Sequence, residues 1–368
     1  MSLALDSGMP PLDLAGPPFS TFERWPPWLF YLPVALYWTW LAVRHGSPTL
    51  PTLVNPALEA GGLCGESKTA SLLQLGLEGR RRLAPFTSMA RSSQEGAWRQ
   101  DLERALAALA ERQIGFPIVA KPDISCKGTG VRVIADSGQL GDYLANFPLG
   151  ESVILQKLVE EQGEAGVFYV RKPGEAGGRI VSLTLKYFPT VVGDGRSTLE
   201  ELIRADRRAG GIAGIYLKRH GRQRHRVLAP GETFRLVFTG NHCKGALFRN
   251  GNGFVTRAME ESFDAIAREI PEFYFGRFDV RFASLAALQQ GEEFTIIEFN
   301  GAGSEATHIW DRATTLIEAY RTLFRHADLM FEIAHTNRGR GFIPTAAVKL
   351  VGLYLNQQRL MRAYPSGE

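Results

Sequence analysis

The sequence predicts an α+β fold for most of the chain. From residue 116 onward, apolar strand-like runs follow one another in groups, and amphipathic helical patterns stand between the groups. Strands and helices that are segregated in this way are typical of α+β domains. A chain of 368 residues is also long enough for two or three domains with cores of their own.

The composition is ordinary for a globular protein, with 45% hydrophobic and 22% charged residues. The net charge of +4 is too small over this length to indicate a nucleic-acid partner. The cysteines, Cys64, Cys126 and Cys243, lie far apart in sequence, which indicates a reducing compartment and argues against a zinc site. We therefore expect a cytoplasmic protein that does not bind nucleic acid.

Residues 25–43 (WPPWLFYLPVALYWTWLAV) form an uncharged, aromatic segment near the amino terminus. A helix of this length would be about 28 Å long, close to the thickness of a bilayer core. Prolines interrupt the pattern, and aromatic side chains along its whole length are typical of a membrane–water interface. We predict a membrane-associated segment over residues 1–46, peripheral to or anchored at the cytoplasmic membrane through residues 22–43. A full span and an arm packed on the protein's own core are the alternatives.

Residues 47–113 are predicted to form a Gly/Pro-rich and helical region. Within it, one short segment resembles a motif, GGLCGESKTASLLQLG, which we call the amino-terminal island, and it allows two interpretations. Either Gly65 and Lys68 bind phosphate, or a helix begins at Ser67 with a charged first turn. The second is favoured, because the spacing of a Walker A motif is missing. Residues 97–113 predict an amphipathic helix.

A predicted hairpin over residues 116–134 (FPIVAKPDISCKGTGVRVI) carries a glycine-containing loop. Its first strand ends at Lys121, and the loop contains Lys127, Gly128, Thr129 and Gly130. Backbone amides exposed at glycines, with a lysine nearby, can cradle phosphate oxygens. Turns also need glycine for conformational reasons, so the hairpin alone is weak evidence.

Two strand-like runs, GRFDV and FTIIEFN, end the strand pattern. Glu298 and Asn300 are two residues apart, so in an extended strand their side chains point to one face. Ile297 and Phe299 would then point into a core. If Asp279 pairs beside them, two carboxylates and an amide oxygen meet, which are the hard ligands that Mg²⁺ uses when it also holds phosphates. The alternative is an ordinary solvated strand face.

An ordered set of motifs resembles the ATP-grasp superfamily in its carboxylate–amine ligase branch. These motifs are FPIVAKP, CKGTGV, VILQKLV, VVGDGRSTLEELI, and GRFDV followed by IIEFNGAGSE. The last pair resembles D-alanine–D-alanine ligases, and VVGDGRSTLEELI resembles a stretch of cyanophycin synthetases. The resemblance implies an ATP-grasp fold, with two α+β subdomains that enclose the nucleotide. We predict a central subdomain over residues 114–160, a C-terminal subdomain over 161–335, and a basic amphipathic tail over 336–368 that either caps the fold or lies on an anionic surface.

The resemblance also implies roles for individual residues. Lys121 and Lys186 would contact nucleotide phosphates, and Arg277 would stabilise developing negative charge. The mobile loop over the phosphates would be Lys127, Gly128, Thr129 and Gly130. The adenine hinge would be Gln156, Lys157 and Val159, with Glu164 at the ribose. The metal ligands would be Asp279, Glu298 and Asn300.

The chain departs from the family after Asn300, where GAGSEATHIWD replaces the usual N-T-x-P-G-M pattern. There, Glu305 or His308 would contact the amine or the carboxylate substrate, or both would be helix-capping residues. The basic stretch over residues 218–226 binds a polyanionic substrate or an anionic lipid, or it is a solvated loop, which is the favoured interpretation.

The function that the resemblance implies is an ATP- and Mg²⁺-dependent ligase, with Mn²⁺ as a substitute metal. It would activate a carboxylate as an acyl phosphate and join it to an amine. Its partners would be small or amphiphilic carboxylates and amines at the membrane face. Two alternatives are open: a non-catalytic ATP-binding regulatory module at the membrane, and an ATP-grasp kinase.

Overall fold

The computed structural model describes residues 8–12, 17–238, 240 and 245–365, so Cys243 lies outside the described residues. The strands are β1 (Phe86–Ala90), β2 (Ile118–Pro122), β3 (Arg132–Ile134), β4 (Ser152–Lys157), β5 (Gly163–Val170), β6 (Arg179–Tyr187), β7 (Thr190–Val192), β8 (Thr233–Arg235), β9 (Leu247–Asn250), β10 (Phe275–Phe282) and β11 (Phe294–Asn300). The helices are α1 (Pro27–Arg44), α2 (Lys68–Leu73), α3 (Leu77–Arg81), α4 (Trp98–Glu111), α5 (Ser137–Ala145), α6 (Leu199–Ala205), α7 (Ala213–Arg219), α8 (Arg257–Glu269), α9 (Leu285–Gln289), α10 (Leu316–Gly339) and α11 (Ala347–Ala363). The predicted α+β class is confirmed.

The first sheet is antiparallel and has the strand order β1-β4-β2-β3. The predicted hairpin is its β2–β3 pair, and the predicted amphipathic helix is α4. Apolar side chains of α4 and α5, including Leu109 and Leu140, pack on alternate residues of the strands, such as Ile118 and Val153. Strand β1 and helix α4 come from the region before residue 114, so that region contributes to this sheet.

The second sheet is also antiparallel and has the strand order β11-β10-β5-β6-β9. Its strands bury both faces. On one face, Phe278 packs with Phe263 of α8, and on the other, Phe275 packs with Met330 of α10. Strand β5 is buried at every position, and its side chains alternate between the two cores, with Val167 and Tyr169 in one and Phe168 and Val170 in the other.

A smaller unit lies between β6 and β9 in sequence. It consists of β7, β8, α6 and α7 around its own core, which includes Leu199 and Tyr216. Helix α6 begins at Thr198, whose side chain and that of Glu201 form a reciprocal capping box. Strand β8 ends at Arg235, and the next residue, Leu236, is buried in this small core.

Only one side of helix α1 packs against α10. Phe30 and Leu41 are buried, and the Tyr37 hydroxyl donates to Asp328 Oδ1 at 2.6 Å. The opposite side is apolar and exposed, with Trp28 at 70% and Leu36 at 64% of full exposure. Among the helices of the described residues, none combines the length and the apolar character needed to cross a membrane.

Helix α11, in the predicted tail, caps part of the fold. Leu360 and Tyr364 enter the core of the first sheet, and the Tyr364 hydroxyl donates to Ile124 O at 3.0 Å. The Gln357 side chain accepts a hydrogen bond from Gly65 N at 2.8 Å. The helix thereby joins the amino-terminal island to the loop that follows β2.

Candidate active site

A cavity of about 650 Å³ lies between the two sheets. Strands β2 and β4 of the first sheet line one wall, and strands β5, β6, β10 and β11 of the second sheet line the other. The predicted site residues that line it are Lys121, Lys127, Gly128, Gln156, Lys157, Val159, Glu164, Lys186, Arg277, Asp279, Glu298 and Asn300. Residues as far apart in sequence as Lys121 and Asn300 therefore meet in one cleft.

Asp279 is the centre of a charged network on β10. Its two carboxylate oxygens accept hydrogen bonds from Arg277 Nε and Nη2, each at 3.0 Å. Lys186 Nζ donates to Asp279 Oδ1 at 2.8 Å. Burial opposes ionisation, but the Arg277 and Lys186 charges outweigh it and hold the pKa of the Asp279 carboxyl well below its usual range. Asp279 is therefore ionised at neutral pH.

Asp279 faces Glu298 across the β10–β11 pair, as the predicted pairing requires. Asn300 faces Arg277 in the same ladder, and its Nδ2 lies 3.5 Å from Asp279 Oδ2. Two carboxylates and one amide thus stand side by side at the cleft. Their donor chemistry fits Mg²⁺, and metal binding itself stays a prediction. The described residues contain no cluster of three or more His, Cys, Asp or Glu side chains at metal-binding spacing.

A β-bulge in β11 overturns one expectation. Asp279 faces Glu298, but the next residue, Val280, faces Ile296, so Ile297 is an extra residue. The prediction that Ile297 points into the core is wrong: it lines the cavity. A bulge shifts the alternation of side chains by one residue, and this shift leaves no periodic signal in the sequence.

The bulge also creates a contact for Lys121. Lys121 Nζ donates to Ile297 O at 3.0 Å and to Gln156 Oε1 at 2.8 Å. Burial lowers the pKa of Lys121 to about 8. The ammonium thus sits between the two sheets with a carbonyl and an amide as partners.

Lys68 joins the site from outside the predicted ATP-grasp region. The Ser67 side chain accepts from Ala70 N, which confirms that a helix begins there. Lys68 Nζ nevertheless reaches into the cleft, 3.1 Å from Glu298 Oε1, and donates to Ser125 O at 2.7 Å. Burial opposes ionisation of Glu298, but Lys68 and Lys121 outweigh it and lower the pKa of that carboxyl. The only sequence signal for Lys68 was the G-E-S-K island.

The hairpin loop supplies half of its predicted residues to the cleft. Lys127 and Gly128 line the cavity, both with positive φ, 56° and 67°. Gly130 faces away: a Cβ there would lie 2.6 Å from Pro122 Cγ, and its carbonyl accepts from the Tyr143 hydroxyl at 2.8 Å. In the described chain, Thr129 and Gly130 are thus outside the cavity lining.

Glu164 lies on β5 with both oxygens in ion pairs. Lys186 Nζ is 3.2 Å from Oε1, and Arg281 Nε is 2.8 Å from Oε2. Glu164 thus positions Lys186 next to Asp279, and its role at a ribose stays a prediction. Arg281 is a cleft residue that the sequence analysis missed.

Of the two candidates after Asn300, Glu305 lines the cavity. Its carboxylate accepts from the Tyr31 hydroxyl at 2.8 Å and from Trp310 Nε1 at 2.7 Å. His308 is buried, with Nδ1 2.6 Å from Ser182 Oγ, and burial lowers the pKa of His308 to about 4. His308 is therefore a neutral core residue, whereas Glu305 faces the cleft.

No protein-family model matches the sequence, and no curated protein matches it. Two solved structures are similar to the chain. The first, a bifunctional glutathione synthetase from Pasteurella multocida, is 16% identical with a TM-score of 0.34, and the alignment covers 70% of this chain and 36% of the synthetase. The second, VanG D-Ala:D-Ser ligase from Enterococcus faecalis, is 11% identical with a TM-score of 0.39, with 73% of this chain and 64% of the ligase covered. Both superpositions are loose, so we base the functional proposal on the cleft residues.

Proposed function

We propose that this protein is an ATP-grasp ligase that activates a carboxylate with ATP and joins it to an amine, with release of ADP and phosphate. The observation that carries the proposal is the convergence of Lys121, Lys186 and Arg277 with Asp279 and Glu298 in one cleft between two antiparallel sheets. An ordinary structural ion pair joins one cation to one neighbouring carboxylate. In this cleft, by contrast, cations from both sheets converge on one pair of carboxylates, which is the charge pattern that phosphoryl transfer needs.

In this proposal, each end of the cleft has its own task. Gln156, Lys157 and Val159 line the cavity at the end of β4, where an adenine would lie. Lys127 and Gly128 line it from the loop after β2, where backbone amides would face phosphate oxygens. Between them, Lys121 and Lys186 would neutralise the charge on the phosphates.

Phosphoryl transfer makes the carboxylate reactive. A carboxylate oxygen of the substrate attacks the γ-phosphorus, the bond to the bridging oxygen breaks, and ADP leaves with that electron pair. The amine then attacks the carbonyl carbon of the acyl phosphate, the bond from that carbon to the phosphate oxygen breaks, and inorganic phosphate leaves with the original carboxylate oxygen while the amine nitrogen gives up one proton. Arg277, which is fixed by Asp279 and by the Glu305 carbonyl at 2.9 Å, would stabilise the negative charge of both steps.

Asp279, Glu298 and Asn300 would hold Mg²⁺, which when bound supplies Lewis-acid charge neutralisation at the phosphates. Lys68 and Lys186 balance the charges of the two carboxylates in this structure. The cations therefore prevent repulsion between neighbouring carboxylates, which would otherwise cost stability.

An isotope experiment tests the proposal. A carboxylate substrate labelled with ¹⁸O should pass one labelled oxygen to the released phosphate, and ADP should form only when an amine is also present. ADP release without an amine would show a kinase instead. ATP binding without turnover under any substrate mixture would show a non-catalytic module. Glu298→Gln should abolish turnover while the far-UV circular dichroism stays unchanged.

We also infer that α1 rests on a membrane surface. Trp28, Leu32, Leu36 and Trp40 recur every four residues and are all exposed, so they form one apolar stripe along the helix. Arg44 ends the helix, with its guanidinium carbon 5.2 Å from the centre of the Trp40 ring. An apolar stripe with a basic end suits an anionic bilayer interface. Vesicle flotation tests this inference.

A further inference from the structure

Most carboxylates of the cleft are paired with a cation. Glu23 pairs with Arg208, Glu164 with Lys186 and Arg281, Asp279 with Arg277 and Lys186, and Glu298 with Lys68. Glu66 and Glu305 differ from these. In the part of the chain that the structure describes, no lysine or arginine nitrogen lies within 4.0 Å of either carboxylate.

Glu305 has more hydrogen bonds than Glu66, one of whose carboxylate oxygens has no partner among the described residues. Its oxygens accept from two neutral donors, the Tyr31 hydroxyl and Trp310 Nε1, which come from α1 and from the segment before α10. Its backbone carbonyl accepts from Arg277 Nη1. The carboxylate is therefore hydrogen-bonded in one orientation at the cleft, and no lysine or arginine of the described residues neutralises its charge by direct contact.

Burial raises the pKa of Glu305, and the hydrogen bonds and the charges of Arg277 and Lys127 offset this only in part. A buried carboxylate in this condition gains from a further positive charge nearby. The same end of the cavity contains the unpartnered, buried Oγ1 of Thr307. Both observations indicate a polar ligand group that bonds here.

The wall around Glu305 is apolar. Trp25, Pro27, Phe30 and Tyr31 line the cavity at the start of α1, and Trp310 lines it beside them, with its ring centre 4.9 Å from that of Phe30. This composition differs from the lysine-rich end near Lys121. A ligand that fits here has a positive head and an apolar body.

We propose that Glu305 and the aromatic wall of α1 form the amine subsite, in which the carboxylate binds a primary ammonium group and the wall contacts an apolar carbon skeleton. The assignment of this ligand as the amine substrate rests on the proposed ligase function; the binding site itself does not. The site lies next to Arg277, so an ammonium that passes one proton to the Glu305 carboxylate would become a free amine adjacent to the activated carbonyl.

Binding of 2-phenylethylamine tests the subsite, with its neutral isostere 2-phenylethanol as the matched probe. Affinities are measured by isothermal titration calorimetry on the full chain. Wild-type protein should bind the amine at least about tenfold more tightly than the alcohol, which corresponds to about 1.4 kcal/mol. Glu305→Gln should remove this preference and leave alcohol binding unchanged. Trp25→Ala should weaken both probes alike.

Glu261→Gln, at an exposed α8 carboxylate paired with Arg257, is the control and should bind both probes as wild type does. The proposal is overturned if the wild type does not prefer the amine, or if Glu305→Gln keeps the preference. If Glu305 had only a structural role, Glu305→Gln would weaken the binding of both probes equally, and this result would also overturn the proposal. ATP binding, measured in parallel with a fluorescent ATP analogue, separates the two proposals. If the wild-type protein prefers the amine to the alcohol but does not bind ATP, the ligase proposal is refuted and the subsite proposal stands.

Discussion

Lys68 Nζ lies 3.1 Å from Glu298 Oε1. The first of these residues starts a short helix in the amino-terminal region, and the second lies on the last strand of the second sheet. Because Lys68 also donates to Ser125 O in the loop after β2, one lysine connects three parts of the chain at the cleft. The amino-terminal region is thus part of the candidate active site.

Replacement of Lys68 by methionine should reduce ADP formation by at least about 100-fold, the scale seen when one preorganised charge is removed. The reason is that Glu298 would then repel the nucleotide phosphates without its neutralising partner. Steady-state ADP release measures the effect. Lys172→Met, at an exposed lysine paired with Glu332, should retain wild-type turnover. Equal activities of the two variants would contradict the role of Lys68.

Replacement of Asp279 by asparagine should destabilise the protein by about 3–5 kcal/mol at pH 7, because Lys186 and Arg277 would remain buried without their shared carboxylate. Urea unfolding measures this loss of stability.

The stabilisation by Asp279 should also depend on pH. The folded-state pKa of Asp279 is depressed, so its stabilisation is present above the unfolded pKa of about 3.9 and is lost as the pH falls through the folded pKa. The difference between variant and wild type should therefore shrink below about pH 4. A constant difference down to pH 2.5 would refute the assignment.

ATP affinity should fall as the pH rises above about 8 if Lys121 contacts phosphate. Burial has lowered the pKa of Lys121 to about 8, so the ammonium loses its charge through this range. Arginine stays protonated, so Lys121→Arg should keep its affinity, whatever its starting value, up to pH 9.5. Lys157→Arg, at an exposed lysine of the same cavity, should show the wild-type decline. An affinity that is flat from pH 7 to 9.5 in the wild type would contradict the contact.

Vesicles of anionic lipid should carry the wild-type protein upward in a flotation gradient. The double variant Trp28→Ser/Leu36→Ser should stay at the bottom, since it removes two exposed positions of the α1 stripe without touching the buried Phe30 and Leu41. The control is Leu73→Ser/Leu77→Ser, which removes two exposed leucines elsewhere on the surface. Flotation that is equal in all three proteins would exclude α1 as the contact.

Much of the site could be predicted from local pattern. Glu298 and Asn300 share one face because strand side chains alternate, and Asp279 meets Glu298 because β10 and β11 are consecutive strands that pair antiparallel. The positions of Lys121 and of the Gly128 loop follow from the β2–β3 hairpin. Signals of this kind survive in the sequence because they involve neighbours along the chain.

Three features were decided only by packing. The bulge at Ile297 removed this residue from the core and supplied the carbonyl that Lys121 contacts. Lys68 reached Glu298 because α2 docks on β11, although its own sequence predicted only a helix start. Tyr31 and Glu305 are 274 residues apart and meet because α1 packs on α10.

The sequence by itself therefore determined the strands, the helix starts and the side-chain faces, since these depend on dihedral preferences and on apolar periods of two or 3.6 residues. The tertiary structure decided which charges neutralise one another and which carboxylate is left for a ligand. That outcome depends on burial and on distances of a few ångströms between distant segments, and electrostatic energies change steeply with both.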